Sequence, residues 1–202
     1  IVAVHMPIAG LSLIPVLMHW PLILMPIHIV FMELIIDPAC STVFEAEHGE
    51  ENVMKRPPRD PQESIFNRQS VVISLMQGFS LLFVCIAVFV IAERLGLGGK
   101  ESRTMAFVTL IIGNLTLILT NASWSHSIIA KLRQKNKGMW WGVSGDFVFL
   151  TLVLYIPALS KLFNFHNLSI IDLAICMISG IASVLWFEAL KLIDAGRKKR
   201  LI

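Results

Sequence analysis

The sequence predicts an all-α membrane protein, a six-helix transmembrane bundle, on three observations. Of its 202 residues, 55% are hydrophobic and only 15% are charged, and the mean hydropathy is +0.73, too apolar for a soluble globular domain. The apolar residues gather into six segments, 1–17, 22–43, 70–92, 104–122, 143–162 and 168–190, each near the roughly 20 residues that a helix needs to cross a bilayer. The basic residues are lopsided. Lys55, Arg56, Arg59 and Arg68, then Lys131, Arg133, Lys135 and Lys137, then Lys191 and the tail Arg197 to Arg200 account for 13 of the 17 Lys and Arg. Basic connections prefer the cytoplasmic side, so both termini are expected to be cytoplasmic.

The first segment is short and holds Pro7, Gly10 and Pro15. It starts at Ile1 inside an apolar run rather than with the basic-then-apolar pattern of a leader peptide. It therefore reads as the outer part of a longer, truncated helix, and the chain as a fragment without its N-terminal part. Interrupted helices of this kind line ion sites in transporters. The second segment carries Glu33 and Asp37, and a spacing of four residues places both carboxylates on one face of a helix. Each costs about 3 kcal/mol near the middle of a bilayer, so a compensating cation is expected.

After the second segment the composition changes sharply. The stretch 44–69 is acidic at Glu45, Glu47, Glu50 and Glu51, and then reads Lys55-Arg56-Pro57-Pro58-Arg59-Asp60-Pro61. Three prolines impose an extended path without backbone donors, which suits either a solvated cytoplasmic loop or docking against a soluble domain. Asn114 lies within the fourth segment. Trp140 and Trp141 stand at the entrance to the fifth, where an interfacial aromatic belt accounts for them. Glu93, Glu101, Asp146, Asp172, Glu188 and Asp194 are expected near segment ends, within reach of water. Cys40, Cys85 and Cys176 lie far apart in apolar stretches and read as small core residues. The basic tail is read as a topology anchor and not as a nucleic-acid site.

The whole chain resembles the C-terminal membrane half of P-type cation-transporting ATPases of the calcium and sodium-potassium pump branch. The resemblance rests on Pro7-Ile8-Ala9-Gly10 in a broken helix, on Pro26 to Pro38 with its two acids, on the Arg56-Pro57-Pro58-Arg59 loop and on four further spans in order. It implies one transmembrane domain over residues 1–202, running from the fifth to the tenth membrane helix, with the 44–69 loop lying beneath a phosphorylation domain. Asp37 matches the sixth-helix aspartate that coordinates the transported ion. Glu33 falls where calcium pumps of the reticulum type have Asn and sodium-potassium pumps have Asp. His5 falls near a fifth-helix Asn ligand, and Asn114 near an eighth-helix Glu ligand. Ile8 and Ile36 replace a Glu and a Thr of the reticulum-type constellation.

Carboxylate and amide oxygens favour hard cations, and the resemblance puts calcium first as the transported ion. The chain contains no Asp-Lys-Thr-Gly, no Thr-Gly-Glu and no Gly-rich phosphate loop. Catalysis is thus not expected of this stretch alone. ATP and magnesium would act through phosphorylation, actuator and nucleotide-binding domains which, with the first membrane helices, belong to a full-length chain in the plasma membrane. The alternative is a stand-alone six-helix carrier or assembly module derived from such a pump.

Overall fold

A computed structural model of the chain describes residues 2–45, 68–121 and 137–199. Among these residues every regular element is a helix: α1 Val2–Leu17, α2 Pro26–Glu45, α3 Arg68–Arg94, α4 Gly99–Asn121, α5 Lys137–Tyr155, α6 Pro157–Leu162 and α7 Ile170–Lys199. Three stretches are long and apolar enough to cross a membrane, Ser70–Arg94, Gly99–Asn121 and Ile170–Ala189, while Val2–Leu17 and Trp140–Tyr155 are shorter apolar helices. The basic loop with Arg56 to Arg59 and the connection at 122–136 lie outside the described residues.

Boundaries depart from the apolar segments at Pro26 and Pro157, whereas the expected interruption of the first segment is not found: α1 runs unbroken through Pro7 and Pro15. The second segment becomes helical at Pro26 rather than at 22, because proline's fixed φ and missing N–H suit a first helical position. The fifth segment is cut: α5 ends at Tyr155 and the six-residue α6 restarts with Pro157 after the extended Ile156. A ring at 157 clashes with the carbonyl four residues back. At its other end α5 already begins at Lys137, so Asp146 sits in the third turn of a helix and not near its start.

The connections at 18–25, 95–98 and 156–169 meet at one end of the bundle. There, Arg103 Nε–H donates to the Leu22 carbonyl (3.0 Å) and the His166 N–H to Thr104 Oγ1 (3.0 Å). Three of the helix ends close alike, with a left-handed residue, His19 (φ 55°), Gly96 (φ 79°) or Asn164 (φ 54°). In each, the next N–H reaches back five residues: Trp20 to Pro15, Leu97 to Ala92 and Phe165 to Ser160. This Schellman closure satisfies carbonyls that a helix end leaves open. The start of α7 is a reciprocal box. Ser169 Oγ accepts from the Asp172 N–H (3.2 Å), and Asp172 Oδ2 accepts from the Ser169 N–H (3.1 Å).

α4 is the centre. Its apolar window is 89% buried, against 39% for α3 and 28% for α7, so α3 and α7 turn one face to α4 and the other, with Phe79, Phe83, Ile171 and Ile178, outward. Close approach depends on small residues. A Cβ on Gly180 of α7 would stand 2.9 Å from the Thr109 carbonyl oxygen and 3.0 Å from the Gly113 nitrogen, both α4 backbone. Membrane helices gain contact in this way because lipid tails supply no hydrophobic drive between them. Polar cross-links complete the packing. Gln77 and Asn121 exchange two amide hydrogen bonds between α3 and α4 (3.3 and 3.1 Å). Ser80 Oγ–H donates to the Ser183 carbonyl (2.8 Å) while accepting from Trp186 Nε1–H (3.1 Å), joining α3 to α7.

Since neither Thr109 O nor Gly113 N can move without shifting α4 itself, Gly180→Val is expected to destabilise the bundle by about 1–3 kcal/mol through overpacking. Thermal unfolding of the detergent-solubilised protein reads this directly, and an unchanged midpoint would contradict the close approach.

Candidate functional site

The site begins with α1 and α2, which follow one another across the turn at 18–25 and meet through the side chains of His5 and Glu33. His5 lies one turn into α1 and Glu33 two turns into α2. His5 Nε2 and Glu33 Oε1 stand 3.6 Å apart, beyond hydrogen-bond range but close enough for a cation or a water to engage both. Their side chains remain 38% and 45% exposed. Within this chain both side chains of the pair are thus only partly covered.

Asp37 lies on the same helix one turn beyond Glu33, and the four-residue step keeps it on Glu33's face. Its side chain falls outside the described residues, as does that of Cys40. Asn114 is in the middle of α4, fully buried, and neither its amide nitrogen nor its amide oxygen has a hydrogen-bond partner. Such a group in an apolar core costs roughly 1–3 kcal/mol. The structure therefore brings His5 and Glu33 together and leaves Asn114 unbonded to either. Among the described residues no group of three or more His, Cys, Asp or Glu is arranged to hold a metal ion.

Two expectations about the remaining polar residues are corrected. Asp146 is 4% and Glu188 7% exposed, so neither is reached by bulk water as a residue at a segment end would be. Asp146 belongs to the buried stripe of α5 with Leu150, Val153 and Leu154, and its Oδ2 has no partner. Phe149, one turn on, stacks against Phe31 of α2 with ring centroids 4.7 Å apart. That contact puts Asp146 on the opposite side of α2 from Glu33. His28, whose place outside the coordinating positions marks it as structural, is fully buried, with both ring nitrogens hydrogen-bonded. A capping role was legible in its place two residues after Pro26. Its partner across the bundle was not.

An apolar helical bundle with polar cross-links, including an acid-bearing helix, defines an integral membrane protein. Residues 21–193 match the family described as cation transporting ATPase, C-terminus, and the chain belongs to that family. It is similar to the human calcium-transporting ATPase type 2C member 1, at 26% identity over 95% of this chain and 21% of the relative. It is likewise similar to the rat calcium-transporting ATPase type 2C member 2, at 28% over 93% and 20%, and to a Bacillus subtilis (strain 168) calcium-transporting ATPase, at 28% over 75% and 17%. The chain thus spans about a fifth of the length of these curated relatives.

Because the Asn114 amide is buried without partners, Asn114→Leu is expected to raise the stability of the bundle by about 1–2 kcal/mol. Denaturant titration of the purified membrane protein measures it, and a loss of similar size would mean that the amide makes a bond in the folded protein.

Proposed function

We propose that this chain is the ion-translocating segment of an ATP-driven cation pump, with Asp37 and Glu33 as the ligands of the transported ion and His5 and Asn114 as further members of the site. The observation that carries this reading is the facing of His5 and Glu33 across α1 and α2 at 3.6 Å, on the helix face that Asp37 shares. Two carboxylates one turn apart hold one divalent cation well, since each neutralises a charge that the bilayer would otherwise penalise. Calcium is the proposed ion: the donors are oxygen-rich, and the relatives at 26–28% identity are named as calcium-transporting.

The exposed flank of the pair is where helices from the rest of a longer chain would complete the coordination, and Asn114 offers its amide oxygen from α4. ATP and magnesium act on phosphorylation, actuator and nucleotide-binding domains outside this stretch. Phosphorylation there alters the tilt of α1 and α2 and switches access to the site from one side of the membrane to the other. Such a cycle moves ions only if affinity differs between the two states. The topology in this reading is six spans with both termini cytoplasmic, a single transmembrane domain over 1–202, the 44–69 loop facing the cytoplasmic domains, and the plasma membrane as location.

In the full-length protein, Asp37→Asn is expected to lower calcium-stimulated ATP turnover by at least about 100-fold, as for loss of a charged ligand in a low-dielectric site, while Glu33→Gln raises the half-saturating calcium concentration. ATPase assays over a calcium series decide the matter. Near-normal stimulation of the Asp37→Asn protein would falsify the assignment.

A further inference from the structure

His28 lies on the first turn of α2, which starts at Pro26 and has Met25 before it. Met25 carries no side-chain oxygen to cap the helix, and His28 fills the gap from within: the Met25 N–H donates to His28 Nδ1 at 3.1 Å. In a capping box that place, three residues after the cap, belongs to Glu or Gln. The second ring nitrogen lies 2.7 Å from the Phe163 carbonyl oxygen, at the residue that closes α6. A backbone N–H can only donate and a carbonyl can only accept, so the two partners together assign the proton to Nε2. A second proton on Nδ1 would face the Met25 N–H with no acceptor between them, so the arrangement is made for the neutral ring.

The ring is enclosed by aromatic neighbours from two other elements. Phe165 stacks on it at 4.7 Å between centroids, Phe163 at 5.9 Å, and Phe107 of α4 meets it at 5.2 Å. The α6–α7 connection is held in turn to α4 by the His166 N–H on Thr104 Oγ1 and is closed by Ser160 Oγ–H on the Phe165 carbonyl. α2 is thereby attached at its first turn to a cap that is itself attached to the buried central helix. With a rise of about 1.5 Å per residue, Glu33 and Asp37 follow at roughly 7.5 and 13.5 Å along the same helix. Their depth is set where the helix is anchored.

We propose that His28 is a positioning residue of the cation site: as the Nε2–H tautomer it locks the first turn of α2 to the α6–α7 connection and so fixes the height and rotation of Glu33 and Asp37. It never touches the ion, because it faces Phe107 and Phe163 while Glu33 faces α1. The inference rests on the reading of Glu33 and Asp37 as ligands given above.

The test uses the full-length protein and three variants, with two readouts: phosphorylation from ATP over a calcium series, and phosphorylation from inorganic phosphate without calcium, which reports intact folding and catalytic domains. His28→Phe keeps an aromatic ring in the cage and loses both hydrogen bonds. It is expected to raise the half-saturating calcium concentration about fivefold or more, with the inorganic phosphate reaction retained. His28→Gln again offers an acceptor to the Met25 N–H and a donor to the Phe163 carbonyl, and is expected to return half-saturation to within about twofold of the parent protein. A purely space-filling histidine would give the opposite order, with Phe tolerated and Gln not, and that order overturns the proposal. So does an unshifted calcium response in His28→Phe with the phosphate reaction intact. If His28→Phe fails to fold, His28→Gln decides alone: near-parental half-saturation supports the lock, and a fivefold shift with the phosphate reaction retained overturns it. Asp37→Asn separates the two levels of argument. Normal calcium dependence in Asp37→Asn defeats the cation-site reading itself, whereas its loss there together with an unshifted His28→Phe defeats only the lock.

Discussion

Everything in this bundle is arranged about a helix that has no outside. α4 is enclosed along most of its length, from Thr104 to Thr120, and in a membrane that enclosure has a particular cause. Lipid tails are as apolar as leucine, so burial against another helix gains little by exclusion of water. Backbones must instead come close enough for dense contact and for the occasional strong polar link. Gly180 lets α7 lie on the α4 backbone, and Gly78 lets α3 approach α1 until a Cβ there would meet Met6 Cβ at 2.7 Å. Around these approaches the polar links fall into place, with Gln77 on Asn121 and Ser80 between Ser183 and Trp186. In an apolar medium an amide or hydroxyl has few other partners to choose from.

The acid-bearing helix is held differently. α2 touches α4 only lightly, packs mainly beside α5 through Phe31 and Phe149, and is tied at its first turn through His28. A hold at the first turn fixes the register of the groups that follow it along the helix. In the proposed pump cycle, a hold at the first turn would set where Glu33 stands while leaving its carboxylate exposed. The chain belongs to the cation transporting ATPase C-terminus family and spans about a fifth of the length of the calcium-transporting relative it matches.

Local signals were sufficient for much of the architecture. Apolar run length located the helices, since a segment that must satisfy all its backbone groups in lipid has no choice but to be helical. The four-residue step of Glu33 and Asp37 placed them on one face without any knowledge of neighbours. The errors are equally physical. The fifth segment was read as one span because hydropathy does not register the clash of Pro157 with the preceding turn. Asp146 was assigned to a wet segment end because α5 starts six residues earlier than its apolar run, at Lys137. Trp140 and Trp141, read as interfacial, do stand exposed at 45% and 79%.

By itself the sequence determined that the chain is helical and membrane-embedded, where its apolar runs lie, which residues could bear an ion, and which family it resembles. All of these are properties of residues near one another along the chain: run length, charge and spacing. Tertiary structure alone decided that α4 is the core while the more apolar α3 and α7 turn a face outward, that His5 meets Glu33, that Asn114 and Asp146 are buried, and that His28 holds a carbonyl 135 residues away. Hydropathy cannot distinguish a face that meets lipid from one that meets another helix, because both neighbours are apolar. Only the packing of distant segments, through glycine contacts and the few available polar partners, settles which is which.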